Sequence, residues 1–187
     1  MDWLAPLPFV TFWNVKIPDG FFARLPNLIY LDVRGGSGTD ASFVHGCTKL
    51  RFLTINQVRG LVDLSAVATL QELELLSLYG LPRVVVPPSL ADLINLKYLE
   101  LGSMKGLTGI GGLLDAPGLT DFHLLKKVGV TLADADLVAS HHSIERFGWS
   151  AEDVPDKLWM PFVKIVGKPE GLFPRDWIER QLEPTGR

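Results

Sequence analysis

A single cysteine, Cys47, stands in this chain of 187 residues, and that scarcity removes several chemistries at once. No internal disulfide can form, which fits a reducing compartment. There is no Cys-x-x-Cys pair, no His-Glu-x-x-His segment and no Gly-x-Ser-x-Gly elbow, so dithiol, zinc-protease and serine-hydrolase patterns have no footing. Histidine is scarce too. His141 and His142, with Asp134, Asp136 and Glu145 nearby, have no spacing that would bring three or four metal ligands together, and the cluster is expected to be a polar turn. Apolar runs fall short of the roughly 18 residues that suggest a membrane span. The N-terminus lacks a positive region ahead of its apolar residues and carries Lys16 and Asp19, unlike a signal peptide. Strong charge of one sign is missing as well: the net charge is −3, against the clustered Lys and Arg of a nucleic-acid binder. The expectation is a cytoplasmic protein with no metal, no cofactor, no nucleic acid and no membrane contact. Gly35-Gly36-Ser37-Gly38 has the glycines of a phosphate loop without the Lys-Ser/Thr pair and following helix, and is expected to be a turn.

What the chain does have is a repeat. Leu28, Leu50, Leu73, Leu96, Leu119 and Ile144 each open the pattern apolar-x-x-apolar-x-apolar, at steps of 22, 23, 23, 23 and 25 residues. Leu50-Leu53-Ile55 and Leu96-Leu99-Leu101 show it plainly. Leu25, Cys47, Leu70, Leu93 and Ala116 lie three residues upstream of successive copies, which predicts a buried structural thiol at Cys47. The last three residues of each copy alternate with a strand's period of two, so each copy predicts a short strand with one apolar face. One such strand cannot bury that face. Stacked copies share a continuous core, and the prediction is a solenoid. Between strands, Leu61-x-x-Leu64-x-x-Val67-x-x-Leu70 repeats every third residue, which suits 3₁₀ or irregular turns.

These copies resemble leucine-rich repeats of the short-repeat class, over about residues 25 to 150. The resemblance implies an α/β fold in which a curved parallel sheet forms the concave face and 3₁₀ or irregular turns form the convex one. One departure concerns the turns: the Asn or Cys usual three residues after the last strand leucine is replaced by Gly36, Val58, Leu81, Met104, Lys127 and Glu152. With no asparagine ladder, the turns are expected to be satisfied by backbone or water. A single domain is expected, with residues 1–24 as an N-terminal cap, 25–155 as six repeats and 156–187 as a C-terminal cap. In the first, Phe9, Phe12, Val15 and Ile17 suggest a shortened repeat only 16 residues ahead of Leu28, with Trp3, Phe9, Phe12 and Trp13 covering the first core layer. In the last, Trp159, Phe162 and Ile165 predict a strand, Pro174 to Leu182 a short helix, and Glu183 to Arg187 a loose tail.

Residues between the inward positions fall into columns across the concave sheet, spaced about 4.8 Å per strand. The first is Tyr30, Phe52, Leu75, Tyr98, Asp121 and Arg146; the second includes Asp32, Glu100 and His123; the third includes Arg34, Asn56 and Tyr79. A stripe of large apolar side chains on a solvent face marks an interaction surface. The expectation is therefore a non-enzymatic module whose concave face binds a protein partner, with Tyr30, Phe52, Tyr79 and Tyr98 as anchors, Asp32, Arg34, Glu100, His123 and Arg146 as polar contacts, and Leu75 and Asn56 in the same surface. The resemblance implies the same use, as an inhibitor, an immunity-type protein or a regulatory scaffold. The alternative is a structural or oligomer-forming segment of a larger assembly, and a monomer is favoured over a homo-oligomer.

Overall fold

A computed structural model describes residues 6–182; Trp3 and the tail after Leu182 lie outside them. Seven strands run through the described residues: β1 (Phe9–Trp13), β2 (Tyr30–Arg34), β3 (Phe52–Asn56), β4 (Leu75–Tyr79), β5 (Tyr98–Gly102), β6 (Asp121–Leu125) and β7 (Arg146–Ser150). They form one open parallel sheet in chain order. Each pair is in register at the repeat positions, so Leu31, Leu53, Leu76, Leu99, Phe122 and Phe147 make one inward row. Every one of these side chains is buried, and with Leu28, Leu50, Leu73, Leu96 and Leu119 they build a continuous core. The fold is a solenoid of stacked parallel strands, as the periodicity predicts.

The turn after each strand explains how the chain manages without asparagine. Asn14, Gly35, Gln57, Gly80, Ser103 and Lys126, each directly after a strand, have φ between 46 and 67°. That left-handed residue turns the chain out of the sheet while its N–H still donates to the last carbonyl of the next strand. Examples are Gly35 to Asn56 at 2.7 Å, Gln57 to Tyr79 at 2.7 Å and Lys126 to Ser150 at 2.8 Å. The turn amides are thus satisfied by backbone. The positions where asparagine is usual are then free to be apolar, and Val58, Leu81 and Met104 join the core.

The convex side carries 3₁₀ turns at Phe22–Arg24, Ser42–Val44 and Ser65–Thr69, and two α-helices, α1 (Gly111–Leu114) and α2 (Leu132–Ser140). α2 fits in because the last repeat step is the longest, at 25 residues. Its start is fixed by Asp134, whose carboxylate accepts from the Thr131 N–H at 2.7 Å and hydroxyl at 2.8 Å. No described helix is long and apolar enough to cross a membrane.

Two expectations fail in the terminal elements. Strand β1 pairs Val10 with Leu31 and Phe12 with Val33, so the first copy is Leu7-x-x-Val10-x-Phe12, a full step of 21 residues before Leu28. Aromatics at both Phe9 and Phe12 allow two apolar phases, and register selects the one that packs Phe12 on Phe21 and Phe22, ring centroids 5.8 and 5.3 Å away. Phe9 and Trp13 therefore point away from the core layer they were expected to cover, and are 48% and 72% exposed. The segment holding Trp159, Phe162 and Ile165 is a helix, α3 (Asp156–Val166), rather than a strand. Its three-residue spacing also fits one helical face; Phe162 and Val166, four apart, are the buried pair and close the end of the core against Phe147 and Trp149.

The concave face and its candidate binding surface

Register brings the predicted columns together: Tyr30, Phe52, Leu75, Tyr98, Asp121 and Arg146 stand side by side across β2 to β7. Their exposure is not as expected. Phe52, Leu75 and Tyr98 are buried, because the chain after α3 returns over the sheet and lays helix α4 (Pro174–Leu182) on them. Trp177 sits among them, its ring 5.6 Å from Tyr98 and 6.5 Å from Phe52. Leu172, Ile178 and Tyr30 pack around this cluster, and the Tyr98 hydroxyl donates to the Leu172 carbonyl at 2.9 Å. Burial raises the Tyr98 phenol well above its usual pKa, so that donor stays protonated.

The path of the returning segment is set by contacts along β7. Gly167 ends α3 in the left-handed region, with φ of 61°. Lys168 then donates its Nζ to the carbonyls of Ile144 at 2.6 Å and His141 at 3.3 Å, and the Phe147 N–H donates to the Pro169 carbonyl at 2.9 Å. Gly171 passes close over the Asp121–Arg146 pair: a Cβ there would lie 3.2 Å from Asp121 Oδ1. Arg146 binds Asp121 through Nε at 2.6 Å and Nη2 at 2.8 Å, and the Thr120 hydroxyl donates to the same carboxylate. Asp121 is buried; this fork neutralises it.

The middle column is a largely buried polar row. Asp32, Ser77, Glu100 and His123 are all buried, against the expectation of solvent-facing polar contacts. Arg34 Nε donates to Asp32 at 2.8 Å and Ser77 donates to Glu100 at 2.7 Å. Desolvation raises the Glu100 pKa, the Ser77 bond opposing it. His123 lies under the ring of Phe173, 5.1 Å between centroids, with Nε2 and the Ser150 hydroxyl 3.0 Å apart and Nδ1 without a partner. Gly148 makes the room, since a Cβ there would lie 2.7 Å from that Nδ1. Burial lowers the His123 pKa, and the charge of Glu170 pulls the other way. Sequence reasoning missed this cover because α4 was assigned to the end of the solenoid; the only sequence signal was its apolar flank, Phe173, Trp177, Ile178 and Leu182.

What remains open is a groove of about 760 Å³ beside α4, floored by β1 to β5. Tyr30, Asp32, Arg34, Asn56, Tyr79 and Glu100 line it from the predicted set, Asp32 and Glu100 as largely buried floor; Phe9 joins them because of the corrected register. Trp13, paired with Arg34 at the end of β1, has the Arg34 guanidinium 5.8 Å from its ring. Among the described residues no group of three His, Cys, Asp or Glu is placed to hold a metal ion. His141 instead bonds the Leu114 carbonyl at 2.8 Å and stacks on His142. Cys47 is buried, its thiol pushed up to about 11 by desolvation, which makes it inert.

No family model matches the chain, and no curated protein does. Among solved structures it is similar to an internalin (inlF) from Listeria monocytogenes str. 4b F2365, at 20% identity and a TM-score of 0.46, covering 78% of this chain and 48% of that one. The chain thus spans about half the length of that protein.

Proposed function

We propose that this protein is a non-enzymatic protein-interaction module that meets its partner on the part of the concave face beside α4. The observation that supports this best is the group Phe9, Trp13, Tyr30 and Tyr79, aromatic side chains held part-exposed on the strands of one rigid sheet beside Arg34 and Asn56. Aromatics and arginine on a preorganised surface are the residue types that dominate protein interfaces, because they bury much area at low entropic cost. In this reading Tyr30, Arg34, Asn56 and Tyr79 keep the contact role expected of them, Phe9 and Trp13 are added, and Phe52, Leu75 and Tyr98 act beneath α4. A partner enzyme held inhibited or a regulatory scaffold would both use such a surface.

The test is capture from lysate of the native host by wild type, by a Phe9→Ala/Trp13→Ala variant, and by Val86→Ala as an exposed control. A partner kept by wild type and the control and lost by the double variant, with unchanged thermal midpoints, supports the assignment. Equal recovery by all three moves the interface elsewhere and defeats it. The second reading, assembly of copies, draws on β1: among the described residues its outer edge has no paired strand, and Phe9 and Trp13 flank it. Light scattering separates the two, since assembly requires a multiple of the monomer mass that the double variant abolishes.

A further inference from the structure

α4 covers an apolar cluster on the concave face, and the partner-binding reading gives it no task. Phe52, Leu75 and Tyr98 form three consecutive apolar rungs beside a polar middle column, and with Trp177 they make a cluster separate from the repeat core. The helix holds on by one flank only. Trp177 is buried and Ile178 half-buried, while Arg175, Asp176, Glu179, Arg180 and Gln181 face solvent. Among the described residues no hydrogen bond joins 174–182 to the sheet; the nearest is from Tyr98 to Leu172, one turn earlier. The link back to α3 includes two glycines, Gly167 and Gly171. A short amphipathic helix that is docked without hydrogen bonds of its own, at the end of a link whose anchoring bonds lie before it, has the form of a ligand that happens to be covalently attached.

We propose that the Phe52–Leu75–Tyr98 rungs are an exchangeable helix seat, and that the partner supplies an amphipathic helix whose aromatic residue replaces Trp177, with an aliphatic residue following it as Ile178 does. The chemistry of the occupant is read from α4, the one helix already seated there. Releasing α4 also lifts Phe173 from His123 and uncovers Phe52, Leu75 and Tyr98 beside the open groove. The tether keeps α4 at a high effective concentration, on the order of millimolar for a short linker, so the seat is masked from weak or chance helices. This inference rests on the protein-interaction reading but is tested without the natural partner.

The probe is a fluorescent synthetic peptide carrying residues 171–182, added to the full-length chain and followed by anisotropy. Trp177→Ala should bind it at least about tenfold more tightly than wild type does, because the tethered competitor has lost its anchor. The same peptide with alanine in place of its tryptophan should bind neither chain. Equal binding to both chains, or none to a cooperatively folded Trp177→Ala, overturns the proposal. Hydrogen exchange on wild type guards against a variant that fails to fold. Amides of 174–182 should exchange at least about a hundredfold faster than those of β3 to β5, as expected for local release rather than global opening; equal protection makes α4 part of the core and overturns the seat. A wild-type chain that doubles its mass on concentration while Trp177→Ala stays monomeric would place a second copy's α4 in the seat, and overturn the partner assignment. Loss of the captured partner in the Phe9/Trp13 experiment reads a different surface, so failure of either idea can be told from failure of the other.

Discussion

Leu76 and Phe9 are both large and apolar, yet they stand on opposite faces of the sheet. Leu76→Ala removes a fully buried side chain from the repeat core and should cost about 2 to 5 kcal/mol, read from urea midpoints. Phe9→Ala should change stability by no more than roughly 0.5 kcal/mol, since its ring is half exposed. Two buried titratable groups predict opposite pH trends. Glu100 has a raised folded pKa, so its contribution is complete below the usual glutamate value of about 4.3 and is lost as pH rises through the folded value. His123 has a lowered one, so its contribution is complete above about 6.5 and is lost as pH falls through the folded value. Glu100→Gln should therefore gain on wild type as pH rises from acid toward neutral, and His123→Gln should flatten the acid side of the stability profile. Chemical denaturation at a series of pH values reads both. The column membership of these residues was legible in the sequence because strand alternation fixes it; their burial was not, because the cover comes from residues about 50 or more positions away, which no local pattern encodes.

Among the elements, the strands were legible and the helices only partly so. Strand spacing is enforced by pairing with two neighbours, so an error in one copy is corrected by the others; β1, with a neighbour on one side, is where the phase was misjudged. Three-residue apolar spacing in Trp159, Phe162 and Ile165 is shared by a helix face and by repeat turns, and the choice was made by the exposed end of the core, which a helix covers more fully than a strand. The left-handed turn after each strand makes a sharper prediction. Lys126 has φ of 57° without being glycine, so Lys126→Gly should stabilise by up to about 1 kcal/mol, whereas Gly80→Ala at φ of 67° should destabilise by a similar amount. Thermal midpoints of the two variants should move in opposite directions. At α2, Asp134→Ala strips the acceptor from both Thr131 donors and should cost about 1 to 2 kcal/mol.

For the whole molecule, the consequence lies in how force would run through it. The chain from Lys168 to Trp177 begins at β7 and ends over β3 to β5, so it crosses the later rungs of the sheet like a cord laid over stacked slats. The first two rungs have no such crosspiece beyond the edge of Tyr30. Pulled by its ends, the protein should yield differently at its two sides: from the N-terminus β1 and β2 should peel singly, each releasing roughly 80 Å of chain for a repeat of some 23 residues, and from the C-terminus nothing should yield until the cord itself lifts. A single-molecule trace would then show small early steps followed by one large rupture, and the Trp177→Ala chain would lower the force of the second without altering the first.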